Sequence, residues 1–249
     1  MHPRSIRHVA IARFSLFILC TLFAVGCSGG GEDSDGDGRV GGRVRFLNAV
    51  PELASIEISI DQKREVINLP YGQVSDYIDI DNPRFILEAF SSVSPLALTA
   101  DEFSANEDES YILILQGDPE IGDDGNYDIS PTIYLEESED PADGRFFLRL
   151  IHSAPSVENS VEAFLTSGVV TPGILPIIEK VSFRRSSPYF SGRADDAVLS
   201  LFSSDGDNSR FVAETPVISY QDGDVVTAVL LDDYGRSGRY NVILISDRD

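Results

Sequence analysis

VRFLNAVP, residues 44–51, returns in altered form as LRLIHSAP, residues 148–155, with Arg45 answered by Arg149 and Pro51 by Pro155 at an offset of 104. The echo continues down the chain. Ser75-Asp76-Tyr77 aligns with Ser187-Pro188-Tyr189, and Phe85 to Ser92 with Ala197 to Ser204, both at an offset of 112; Tyr111 to Leu115 faces Val226 to Leu230 at 115. Offsets that only grow place insertions in loops of the second copy while strand order is kept, so the sequence reads as two copies of one domain.

Within each copy the apolar residues have the period of a strand. Ile56, Ile58 and Ile60 alternate with Glu57 and Ser59, the pattern of a half-buried strand. Val44 to Leu47, Val74 to Ile80, Arg84 to Phe90 and Thr132 to Leu135 read as further strands, with Asp81-Asn82-Pro83 as a turn. Tyr111 to Leu115 is apolar on both faces, which predicts a central strand covered on both sides. Ser204 to Asn208 and Gln221 to Asp224 read as hairpin turns, where Asp, Asn and Gly tolerate positive φ. No long segment carries helical period, and Gly173 to Val181 has no clear pattern. The expectation is an all-β protein made of two tandem immunoglobulin-like antiparallel β-sandwiches, residues 43–137 and 144–249, with the acidic run 136–144 as the break between them. An up-and-down barrel is the rival architecture for each copy.

The N-terminus bears on location. Arg4, Arg7 and Arg13 precede an uncharged run from Phe14 to Val25, too short for the roughly 20 residues a membrane-spanning helix needs and ordered as a secretory signal over residues 1–26. Ala24-Val25-Gly26-Cys27 resembles the lipobox of bacterial lipoproteins, which implies that Cys27 receives a lipid and that the mature chain is anchored to the cell envelope; Ser28 after the cysteine points by the same resemblance to the outer membrane. The chain holds only 2 cysteines, and Cys20 lies inside the signal, so no disulfide is expected. Residues 27–42 form a Gly-, Ser- and Asp-rich acidic tether. In it Asp33, Asp35 and Asp37, with Gly38 at the sixth position, match the first half of a calcium loop, but the twelfth position is Val44 where a bidentate Glu belongs. A plain linker is the favoured reading and calcium the alternative.

Composition and inventory narrow the function. With 41 acidic residues against 19 Lys and Arg, and a net charge of −22, the surface repels phosphate backbones and excludes nucleic acid as a partner. If 1–26 is removed, His152 is the single histidine left, so no paired-His metal site can form. Neither a Gly-x-Ser-x-Gly elbow nor a glycine-rich phosphate loop is present. His152 at a strand end, with Asn48 at the equivalent place, reads as a turn residue. Ser75 with Tyr77, and Ser187 with Tyr189, read either as hydroxyl pairs lining a shared groove or as structural residues resembling a tyrosine corner, the second being favoured. The expectation is a protein without a cofactor and without catalytic activity, held at the membrane by its lipid. It acts as a binding or adhesion module toward a protein or glycan, or as a structural accessory to other envelope proteins.

VRFLNAVPELASIEISID, followed by LPYGQVSDYIDI, resembles the start of the bacterial domain of unknown function 4397. The motif residues are Asn48, Pro51, Tyr71, Gly72, Ser75 and Tyr77 in the first copy. In the second, His152, Ser153, Ala154 and Pro155 match the turn, and Phe183, Ser187 and Tyr189 match the later stretch, with Arg184 where the glycine is expected. The resemblance implies an exported, often lipid-anchored β-sandwich protein of no established activity.

Overall fold

The computed structural model describes residues 41–247 apart from 95–96, 122–126, 138, 168–173, 206–207 and 235. The signal segment, Cys27 and the acidic triplet Asp33, Asp35 and Asp37 lie outside the described residues. Every element of secondary structure assigned is a strand. The first copy contains β1 (Arg43–Ala49), β2 (Ser55–Ile60), β3 (Lys63–Pro70), β4 (Ile78–Asp79), β5 (Arg84–Ser91), β6 (Ala97–Ser104), β7 (Ser110–Ile121) and β8 (Tyr127–Leu135). The second contains β9 (Arg145–His152), β10 (Val161–Thr166), β11 (Ile178–Val181), β12 (Arg185–Ser186), β13 (Phe190–Arg193), β14 (Asp196–Asp205), β15 (Asn208–Glu214), β16 (Ile218–Ser219), β17 (Val225–Asp233) and β18 (Arg236–Ser246).

The repeat seen in the sequence is a repeat of topology. The first copy forms sheets ordered β4-β1-β7-β8 and β3-β2-β5-β6; the second forms β12-β9-β17-β18 and β11-β10-β14-β15, with β13 added to β9 and β16 to β14. Neighbours are antiparallel except β1 with β7 and β9 with β17, which run parallel. That detail is invisible to periodicity, because both kinds of pairing have side chains alternating with a period of two. In each copy the two sheets close on one core: Phe46, Ile58, Leu87 and Leu113 are central to the first, and Phe146, Leu148, Leu199 and Leu230 to the second. The all-β sandwich expectation holds.

Strands β1, β7, β9 and β17 are buried on both faces. Val44, Phe46, Tyr111 and Leu113 face the first core, while Leu47, Ala49, Ile112 and Ile114 join Ile151, Val229, Leu231 and Ile245 of the second copy in a third apolar cluster. The β1 sheet and the β9 sheet therefore lie against each other through their outer faces. The double-sided apolar run Tyr111 to Leu115 is explained by this seam.

Two local readings need correction. Val74 to Ile80 does not form one strand: Val74 makes a single bridge to Leu47 and regular pairing resumes only at β4. Gln221 to Asp224 is no hairpin turn, since β16 pairs with β14 whereas β17 lies in the other sheet. The acidic run 136–144 falls between β8 and β9, and its first residue, Glu136, is buried.

Candidate functional site

The alternation of β1 and β9 decides where the motif residues point. Asn48 and His152 end the inward-facing rows, and both are fully buried. The Asn48 amide donates to the carbonyls of Leu53 and Leu69 at 3.2 Å each, and its oxygen accepts from the Val50 amide at 3.2 Å. His152 takes the same place with a ring: Nδ1 accepts from the Ala154 amide at 3.3 Å, which leaves the proton on Nε2. That nitrogen is directed at the backbone of Val157 and Asn159 without a partner in good hydrogen-bond geometry. Burial pulls its pKa down to about 4, so the ring is neutral at physiological pH. Pro51 and Pro155 stand in the turns that follow, each half-buried.

Gly72 and Arg184 close matching turns over those residues. The Gly72 amide donates to the Asn48 carbonyl at 2.8 Å, and the Arg184 amide to the His152 carbonyl at 2.9 Å. Gly72 has φ of 71° and Arg184 of 61°. The second copy thus keeps the left-handed turn without its glycine, at a backbone cost on the order of 1–2 kcal/mol. Arg184 also donates to the Asp128 carboxylate and carbonyl at 2.9 Å each and stacks over Phe183, 5.1 Å from the ring centre. Tyr71, the counterpart of Phe183, donates from its hydroxyl to the Asp232 carbonyl of the other copy at 2.7 Å.

Ser75 and Ser187 act on the backbone. Each amide donates to the carbonyl of Phe46 or Leu150 at 2.8 Å. The serine oxygens accept back from the Phe46 and Leu150 amides at 2.9 and 3.0 Å. Each hydroxyl then donates to the carbonyl of the following residue, Asp76 or Pro188, at 2.8 Å. A side-chain oxygen thereby stands in for a strand carbonyl, which is how the extended chain leaves the ladder before β4 and β13. The two serines and two tyrosines do not line one shared groove: both tyrosine hydroxyls end on buried acids in the seam.

There the two copies exchange equivalent contacts. Arg45, 4% exposed, donates from Nε to Glu136 Oε1 at 2.8 Å and from Nη2 to the Ser246 carbonyl of the other copy at 2.7 Å. Arg149, 3% exposed, donates from Nε to Thr227 Oγ1 at 2.7 Å and from Nη1 to the Leu135 carbonyl of the other copy. Tyr77 donates to Glu136 Oε2 at 2.6 Å, and Tyr189 donates to Asp247 Oδ2. Asp247 also receives Thr227 Oγ1 at 2.8 Å and lies 3.3 Å from Arg45 Nη2 and 3.8 Å from Arg149 Nη2. The guanidinium groups of Arg45 and Arg149 sit over the rings of Tyr77 and Tyr189, each 4.8 Å from the centroid. Two buried cations thus meet two buried anions. Burial nonetheless pushes the Glu136 carboxyl above its usual pKa, with Arg45 opposing, and both tyrosines lie well above theirs for the same desolvation reason.

The reading of the sequence paired the arginines and tyrosines across the repeat but missed Glu136, Thr227 and Asp247. A signal did exist: at an offset of 111 Glu136 answers Asp247, each following directly on β8 or β18. Among the described residues no group of three or more His, Cys, Asp and Glu side chains is placed to hold a metal ion. A polar cleft of about 350 Å³ opens in the second copy beside Ser156 to Asn159, and a shallower groove of about 360 Å³ runs along β3 toward Ser75 in the first.

Residues 42–160 match the family model described as a domain of unknown function, DUF4397, so the resemblance read from the sequence is shown over that stretch. The match runs through β9 and the His152 turn. No curated protein matches the chain. Among solved structures, a carbohydrate-binding module of family 26 from Eubacterium rectale Amy13K, crystallised with maltoheptaose, shares 10% identity at a TM-score of 0.26, over 81% of this chain and 95% of that one. A Bacteroides ovatus protein proposed to act in cell adhesion shares 10% identity at a TM-score of 0.24, over 83% and 97%. Likeness this remote transfers neither ligand nor role.

Proposed function

We propose that the protein is a non-enzymatic binding or adhesion module of the cell envelope, held by a lipid on Cys27 through the acidic tether and presenting its two sandwiches as one rigid body. The observation that carries this reading is the seam. Arg45 and Arg149 each reach the closing carbonyl of the other copy around a shared apolar cluster, a fusion that suits a display scaffold and opposes the independent motion of a hinged pair. His152, Glu136 and Asp247, the titratable groups best placed for chemistry, are buried within the scaffold, and recognition falls to the exposed turns and the clefts at the sandwich ends.

The test is crosslinking on intact producing cells, with mass spectrometry of what is captured, paired with protease shaving. Cleavage of the protein by external protease, together with capture of foreign-surface or matrix components, is the expected result. Protection from protease with one reproducible envelope partner would replace this reading with that of a structural accessory.

A further inference from the structure

The scaffold residues are duplicated, but the polar cleft of the second copy is not. Its walls carry Ser156, Glu158 and Asn159 from the turn after β9, Ser203 and Arg210 facing each other across β14 and β15, and Tyr240 of β18. At the equivalent positions of the first copy, Ala54 replaces Glu158, Ile129 replaces Tyr240 and Gly117 replaces Asp232. Asp232 is the residue that shapes the cleft. Almost buried, it accepts the Ser156 amide at 3.4 Å and the Ser156 hydroxyl, pinning one end of the turn. Val157, 6% exposed in the core, pins the middle. The turn is therefore ordered before any ligand arrives, which lowers the entropic cost of binding.

What this turn holds out is unengaged. Glu158, Asn159 and Arg210 are exposed, and no hydrogen bond or ion pair to another described residue involves their side chains. A cation, an anion, an amide and two hydroxyls around a half-buried tyrosine ring supply closely spaced donors and acceptors with no net charge and one amphipathic aromatic wall. That set is poor for an aliphatic ligand, which leaves these groups unpaired. It matches a ring bearing many hydroxyls. The volume of about 350 Å³ is at the small end of ordinary ligand clefts, about 300–1,000 Å³, and suits one or two sugar rings.

We infer that this cleft is a saccharide site, in which Glu158 and Asn159 bond ring hydroxyls, Tyr240 packs against the sugar, and Arg210 favours rings that carry a carboxylate. The inference rests on the binding-module reading and assigns it a site and a ligand class. The test uses the full chain in detergent, titrated with neutral hexose oligomers and with uronic acid oligomers while ligand-observed NMR and calorimetry follow binding. The expected result is binding with preference for the uronic acid oligomers. Arg210→Ala should remove that preference, and Glu158→Ala should weaken both series by about tenfold, roughly 1.4 kcal/mol. Both side chains are exposed, so melting temperatures should stay at the wild-type value. Arg64→Ala, on the outer sheet of the first copy, should bind as wild type. Absence of saccharide binding, or binding indifferent to both cleft variants, overturns the inference. If crosslinking on cells captures the same partner with the doubly substituted chain as with wild type, the binding-module reading stands and the saccharide site alone falls.

Discussion

His152 gives the protein an acid-sensitive element that its twin Asn48 lacks. The folded state holds the ring neutral with a pKa of about 4, against the ordinary imidazole value of 6.5. Between those values the unfolded chain binds a proton that the folded chain refuses, so stability falls as pH falls through that window and is unaffected above it. At 1.36 kcal/mol for each pKa unit, the loss reaches about 3 kcal/mol by pH 4. For a chain of this size that corresponds to about 6–12 °C of melting temperature. Carboxylates throughout the protein titrate in the same range, so the contribution has to be isolated by difference. His152→Asn does this, because Asn48 shows that an amide satisfies the same turn through Leu53, Leu69 and Val50. Urea unfolding of wild type and variant at pH 7 and pH 4 should show the variant gaining about 3 kcal/mol on wild type at the lower pH. Parallel pH dependences would refute the reasoning, since they require His152 to titrate alike in the folded and unfolded chains.

Further outcomes follow from the seam and the turns. Arg45→Ala leaves Glu136 and Asp247 without their shared cation and should cost about 3–5 kcal/mol in denaturant unfolding, whereas replacing Arg45 and Glu136 together by Met and Leu should cost far less. Tyr77→Phe and Tyr189→Phe each remove a donor to a buried acid and should lower stability by about 1–3 kcal/mol, read as a fall in melting temperature without change in circular dichroism. Gly72→Ala places a β-carbon at φ of 71° with its nearest neighbour, Leu231, at an ordinary 3.7 Å, so the cost is backbone strain alone, about 1–2 kcal/mol. Gly192→Ala should be worse, because the added carbon would stand 2.3 Å from the Phe146 ring, which is stacked on Tyr220 at 4.1 Å; calorimetry should show a clear loss of unfolding temperature.

How much of this was legible depended on where each residue's partner lies in the chain. The alternation at Ile56 to Ile60 and the doubled apolar face at Tyr111 to Leu115 are local, and they predicted the sandwich and a central covered strand. The covering layer was not predictable from that segment, because it comes from Val229 and Ile245 of the other copy. Glu136 opens an acidic run and looks solvated; its burial depends on Arg45, 91 positions away. β3, with its exposed Lys63, Arg64 and Asn68, carries no clean alternation because edge strands carry polar residues that blunt further pairing. Val74 to Ile80 alternates well enough, yet the Ser75 hydroxyl captures the Phe46 amide and ends the ladder. The cleft was invisible for a related reason: Ser156, Arg210 and Tyr240 gain meaning only once β15 and β18 are brought side by side.

The parallel register of β1 with β7 has a mechanical consequence. Under the proposed anchoring, tension arriving ahead of Arg43 would pull on β1 along its own axis, and β1 is paired with β7 at seven consecutive positions from Arg43 to Ala49. Under such tension the hydrogen bonds are loaded in shear and must yield together, whereas a hairpin pulled from its open end unzips one bond at a time. A body held by that strand resists detachment by force more than its equilibrium stability alone would indicate, and the strand that takes the strain is also the one clamped from behind by the second copy.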